Sequence, residues 1–162
     1  MPRFKGKKMY FNKRDTYDLS CTLDPIICEG LKRFKEVITT DKPAKEWSGV
    51  PSLLLAKLYP LEEGEYHHTD EQLDQGKIAW LSILDEMIYA FDNKEPDIAA
   101  YKFDYVPSEG HEEETEDGYF RWDMRIKNEE EHQRYKEDEK EHFARVEEGR
   151  RLFFEYYSCL WW

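Results

Sequence analysis

Apolar and polar positions alternate along the chain with two different periods, and the changes of period divide it. Asp24 followed by Pro25 reads as an N-cap and first helical position. Ile27, Leu31, Phe34 and Ile38 then recur at helical spacing as far as Thr39, which predicts a first amphipathic helix. Between Pro43 and Pro60 the Pro and Gly content rises, and the short apolar run Leu53 to Leu58 is expected to be loop with at most a helical turn or two. Thr69 with Gln72 three residues on has the form of a capping box. It opens a helix in which Trp80, Leu84, Met87, Ile88 and Phe91 share one face. The polar stripe of that helix, Ser82, Asp85, Glu86 and Tyr89, is narrow, so the helix is expected at the centre of the core.

After Pro96 the period becomes two. Tyr101, Phe103 and Tyr105 alternate with Lys102 and Asp104, and Phe120, Trp122, Met124 and Ile126 alternate with Arg121, Asp123, Arg125 and Lys127. Two strands follow, joined by an acidic loop over residues 108–118 that contains no Lys or Arg. Asn128 then caps a last helix, with Glu129 and Glu130 in its positive first turn and Glu131 three residues on. Its first half is almost wholly polar, and Phe143, Val146, Phe153, Tyr157 and Leu160 form an apolar seam in its second half. The expected fold is therefore α+β. About three main helices pack with one antiparallel hairpin, the C-terminal helix is long, and residues 1–162 form a single domain.

Composition narrows this picture. The chain has 162 residues, a formal net charge of -12 and an aromatic content of 15%, with 5 Trp, 11 Tyr and 9 Phe. Chains of that charge that stay disordered lack such aromatics, so an ordered core is expected. No apolar run approaches the roughly 20 residues that span a bilayer, and the Lys-rich start is not followed by an apolar signal core, which gives the expectation of a soluble protein with no membrane partner. Cys21, Cys28 and Cys159 are odd in number and lack paired CxxC spacing, which points to neither a disulfide framework nor a structural zinc. The first fourteen residues carry six bases and no acid, and this basic arm either contacts a polyanion or lies across the chain's own acidic surface.

Several constellations have the spacing of chemistry. Glu129 with His132, and Glu139 with His142, match the Glu-x-x-His pattern of dinuclear carboxylate sites, but on one helix the two pairs stand about 15 Å apart at 1.5 Å per residue. A solvated, ion-paired face explains them, and the same holds for His67-His68 beside Asp70. Exposure on the polar stripe accounts for Asp85 and Glu86. The chain has no nucleophile elbow, phosphate loop or HExxH, so neither an enzyme nor a cofactor is expected. The aromatic excess asks for more. Tyr156, Tyr157, Trp161 and Trp162 crowd the end of the last helix beside Arg150 and Arg151, and aromatic faces next to guanidiniums stack a base and grip a phosphate. Docking of that end into the core, or into a second subunit, is the plainer alternative.

Three blocks occur in order: Asp15-Thr16-Tyr17-Asp18-Leu19-Ser20-Cys21-Thr22-Leu23, the helix Trp80 to Phe91 containing Leu84-Asp85-Glu86-Met87-Ile88-Tyr89-Ala90-Phe91, and Gly149-Arg150-Arg151-Leu152-Phe153-Phe154-Glu155-Tyr156-Tyr157-Ser158-Cys159-Leu160-Trp161. Together they resemble a family of short uncharacterised proteins encoded by tailed bacteriophages. Tyr17 stands where that family usually has Trp, and residues 42–68 look individual. The resemblance implies a viral protein acting in the cytoplasm of a bacterial host, and it brings no activity and no site residues.

The expected function is binding: counter-defence by sequestering a nucleotide-like signalling molecule. Its candidate ligand-binding residues are Arg121 and Arg125 on the second strand with Arg150, Arg151, Tyr156, Tyr157 and Trp161 at the end of the last helix. One alternative is an acidic inhibitor or nucleic-acid mimic directed at a host protein, and another is a small metal-dependent hydrolase; nucleic acid itself is not an expected partner. Self-association is also expected. A helix from Glu129 to Leu160 is about 48 Å long, against a radius of gyration of about 15 Å for a compact chain of this size.

Overall fold

Helix α1 (Leu19–Thr40) starts a turn and a half before the position the Asp24-Pro25 pair suggests. In the computed structural model, which describes residues 3–5, 8–10, 13, 18–40, 49–64, 66–92, 94–114 and 120–160, with side chains described outside 3–5, 8–10, 109–114 and 120–123, the cap is Asp18. Its carboxylate accepts from the Cys21 amide at 3.1 Å and the Ser20 hydroxyl at 2.8 Å. These bonds hold the Asp18 carboxyl below the ordinary carboxylate range, the contacts from Cys21 contributing most. Asp24 is therefore inside the helix and buried, and Pro25 sits mid-helix, where it leaves the Cys21 carbonyl without its i+4 donor.

The run after Pro51 is a true helix, α2 (Ser52–Leu58), and not the loop that its Pro-rich flanks suggest. Tertiary packing decides the matter: Leu54 and Leu55 are buried, and a Cβ at Gly76 would lie 2.7 Å from Leu55 Cδ2, so α2 rests where that glycine gives it room. Helix α3 (Asp70–Asp92) opens on the capping box read from the sequence. The Thr69 amide donates to Gln72 Oε1 at 2.9 Å, and the Gln72 amide donates to Thr69 Oγ1 at 3.2 Å. Trp80, Leu84, Met87, Ala90 and Phe91 are all buried, which places α3 at the centre of the core. Cys28 and Leu31 of α1 and Leu54 of α2 complete that cluster together with Phe153 and Tyr156.

The chain is α+β, with a long C-terminal helix, α4 (Glu129–Tyr156), continued by a 3-10 turn, Tyr157–Cys159. Strands β1 (Arg3–Lys5) and β2 (Lys8–Tyr10) form a short antiparallel pair in the basic arm. Strands β3 (Asp104–Glu114) and β4 (Phe120–Lys127) form the hairpin expected from the alternation. The acidic tract is not all loop, because β3 runs through Glu114. An irregularity between Pro107 and Glu112 absorbs extra residues, after which Glu112 pairs with Trp122 and Glu113 with Arg121. Proline cannot donate to the ladder, and a bulge next to it lets pairing resume in a new register.

Contacts gather into two compact units. The first is Met1–Lys94 with Arg145–Trp162, and the second is Glu95–Ala144. In the first, α4 crosses α3 at Gly149, where a Cβ would stand 2.3 Å from the Glu86 carbonyl oxygen and 2.6 Å from Ala90 Cβ. Arg145 fastens that crossing with two bonds to Glu86, at 2.7 and 2.9 Å, and stacks 3.7 Å over the Tyr89 ring. Between α1 and α3, Lys35 pairs with Asp85 at 2.5 Å and Lys32 with Asp92 at 3.1 Å. In the second unit Asn128 takes φ +70° at the start of α4, accepts from the Glu131 amide at 3.4 Å and donates to the Lys102 carbonyl at 2.9 Å. No helix among the described residues is long and apolar enough to cross a membrane.

Candidate functional site

The apolar stripe of α1 and the seam of α4 meet within the first unit, but they do not close completely. Ile27, Gly30, Leu31 and Phe34 on one side and Phe153 and Leu160 on the other line a groove of about 290 Å³. A pocket of that size is at the lower limit for small-molecule sites, large enough for one planar ring system and its substituent. Its walls are apolar, with the Phe34 and Phe153 rings among them. A Cβ at Gly30 would meet nothing within 4 Å.

One turn before Phe153 on α4 is Arg150, and one turn before Ile27 on α1 is Asp24. Arg150 Nη2 donates to Asp24 Oδ2 at 2.7 Å, with the Asp24 side chain 10% exposed and the Arg150 side chain 41% exposed. The guanidinium also lies 5.8 Å from the centre of the Phe91 ring. Its Nε is buried and finds no acceptor among the described residues. A buried guanidinium donor with no acceptor is uncommon, because the desolvation cost is not recovered. Neither Arg150 nor Asp24 lines the groove itself; each stands one helical turn before a lining residue, and Arg150 has its charge balanced by a carboxylate while its Nε is left without an acceptor among the described residues.

The other predicted site residues are placed differently. Arg151 is held by carboxylates of its own helix: Nε and Nη2 each donate to Glu148 at 2.7 Å, and Nη1 donates to Glu155 at 2.5 Å. Those bonds keep the Glu148 carboxyl below its ordinary range and raise Arg151 further. Lys57 of α2 reaches the same Glu155. Tyr156 is 3% exposed and packs edge-on against Trp80 at 5.5 Å, so it is core and not a stacking platform, and burial pushes its phenol up. Tyr157 is 66% exposed and touches the groove wall at Phe153, 5.6 Å between ring centres. Arg125 is exposed on β4 of the second unit. Arg121 lies in the same strand with its side chain outside the described set, and Trp161 lies outside the described residues.

Reading from the sequence missed that Asp24 is a counter-ion, that Gly30 leaves room, and that Ile27, Phe34 and Leu160 border a groove. The signal available was the helical spacing itself, Asp24-Ile27-Leu31-Phe34 and Arg150-Phe153-Tyr157-Leu160, which is the same for a closed seam and an open one. The Glu-x-x-His pairs also differ from expectation: His132 and His142 are both 6% exposed, not solvated, and the Phe103 and Tyr105 rings pack on His132. Among the described residues no cluster of three or more His, Cys, Asp or Glu side chains is disposed to hold a metal ion. Asp85 and Glu86 serve as the ion-pair anchors already described.

Compared with family models, curated proteins and solved structures, the chain matches none.

Proposed function

We propose that this chain works by binding and not by catalysis. It holds a nucleotide-like small molecule in the groove between α1 and α4, and so sequesters a signal in the cytoplasm of a bacterial host as a phage counter-defence protein. The observation that carries the reading is the pairing of an aromatic-walled groove with the unsatisfied Arg150 Nε one turn away. A planar base suits the apolar walls, and an acceptor on its sugar or phosphate suits the guanidinium. Because Asp24 already balances Arg150, the site favours a ligand of low charge over a polyphosphate.

Thermal shift with a panel of nucleotides, joined to mass spectrometry of whatever co-purifies, tests this. A ligand at 100 times its Kd stabilises by about 2.7 kcal/mol, a rise of roughly 5–10 °C for a chain of this length. Gly30→Leu, whose Cβ enters open space, puts a bulky side chain in the groove and removes that rise, as does Arg150→Ala. A nucleotide that stabilises both variants as well as the parent protein binds elsewhere, and a panel that moves nothing removes the reading altogether.

A further inference from the structure

The second unit carries a different surface. Residues 95–144 hold 17 acids against 7 bases, a formal charge of -10 out of the chain's -12. Of these acids, Asp138 and Glu139 of α4 bond to two of three tyrosines whose hydroxyls are each tied to a side chain of that helix. Tyr101 donates to Asp138 at 2.6 Å, Tyr135 donates to Glu139 at 2.7 Å, and the Tyr105 hydroxyl shares a 3.1 Å bond with Nε2 of the buried His132. Phe103 joins them, 5.6 Å from Tyr135, 5.9 Å from Tyr105 and 4.9 Å from the His132 ring. Tyr101 meets Tyr135 edge-on at 5.2 Å. Tyr105 nevertheless remains 54% exposed, and Tyr101, Phe103 and Tyr135 are only partly buried.

Aromatic rings held still by hydrogen bonds lose little entropy when something lands on them, and rings rimmed by carboxylates attract cations by both the quadrupole and the charge. A guanidinium already uses one of these faces: Arg134, 67% exposed, lies 5.6 Å over the Tyr101 ring and, among the described residues, pairs with Glu131 at 3.6 Å. We propose that the Tyr101–Phe103–Tyr105–Tyr135 face is a docking surface for a basic protein partner, and that an arginine of that partner stacks on a tyrosine ring in the manner of Arg134. Charge selects the class of partner. A surface with this field repels nucleic acid and draws proteins whose own surfaces are built to take phosphates.

The test uses the full chain and two peptides of equal length and charge, one of arginine and one of lysine. Both bind more weakly as salt rises, and the arginine peptide binds several-fold more tightly, because a planar guanidinium stacks where an ammonium cannot. Ring resonances of Tyr101, Tyr105 and Tyr135 shift in the unmodified protein on titration, a readout that needs no variant to fold. Tyr101→Leu with Tyr135→Leu, checked by circular dichroism, costs the arginine peptide roughly 10-fold and the lysine peptide much less. Arg134→Ala, which clears a ring face, raises arginine-peptide affinity more than Lys136→Ala, which makes the same charge change. Equal binding of the two peptides with unshifted tyrosine resonances overturns the proposal and leaves only a diffuse acidic field. Sedimentation showing a dimer that Tyr135→Leu dissolves overturns it differently, by placing a second copy's basic arm on this face.

Discussion

Two glycines of opposite circumstance separate packing from propensity. At Gly149 an added methyl would sit 2.3 Å from a backbone oxygen of α3, and backbone cannot yield as a flexible side chain does. Gly149→Ala is expected to destabilise the protein by about 2–3 kcal/mol, read as a lower urea midpoint with an unchanged slope. Gly30→Ala meets nothing and gains helix propensity, so it is expected to stabilise by up to about 1 kcal/mol in the same assay. A titration follows from Asp92. Lys94, at 2.5 Å, and Lys32, at 3.1 Å, hold its carboxyl down at about 2. A carboxyl lowered in the folded state contributes stability above its unfolded value near 4 and loses it as pH falls toward 2. Discounted for solvent, that contribution is about 1 kcal/mol, and Asp92→Asn should flatten the denaturation midpoint across this window, with no difference in slope above pH 5. A midpoint as steep in the variant as in the parent assigns the acid sensitivity to other carboxylates.

At the scale of elements, helices and strands were legible where local chemistry and tertiary packing agree. The Thr69/Gln72 box opens α3 as read, and Thr69→Ala is expected to cost about 1 kcal/mol in thermal or chemical denaturation. Where two signals competed, the sequence could not rank them. Asp18 and Asp24 are both good caps, and a proline after the second tilts the reading toward it, yet Asp24 is needed inside as the partner of Arg150. Its burial depends on a residue 126 positions away, which no local pattern records. Likewise α2 exists because Leu54 and Leu55 find cover, not because its flanks favour a helix. Pro25 is exposed, so Pro25→Ala costs little packing while it restores a donor to the Cys21 carbonyl, and a rise in stability of about 1 kcal/mol is expected in the same denaturation assay. The groove shares this limit, since apolar spacing announces a seam and says nothing of whether it shuts.

For the whole molecule, charge is distributed by unit. Almost all of the net negative charge falls in residues 95–144, leaving a formal -2 for the rest, although the acids look scattered along the sequence. Crowded like charges are relieved by salt, whose screening length falls from about 30 Å at 0.01 M to about 8 Å at 0.15 M. Hydrogen exchange of amides in 95–144 is therefore expected to slow across that range while amides of α1 and α3 change little. Uniform slowing in both units would point instead to a general salt effect on the fold. The same asymmetry separates the two binding proposals, because a groove ligand of low charge responds weakly to salt and an arginine-bearing partner responds strongly.

The discontinuity of the first unit has a consequence for synthesis. Trp80 and Phe91 are translated early, but the residues that cover them, Tyr156 and Phe153, follow only after the whole of 95–144 has been made. The second unit is therefore complete while the first still shows an unsealed apolar helix, and order of completion reverses order of translation. A chain released after residue 144 would leave that helix face open to chaperones, and one that continues through residue 160 and leaves the ribosome would cover it.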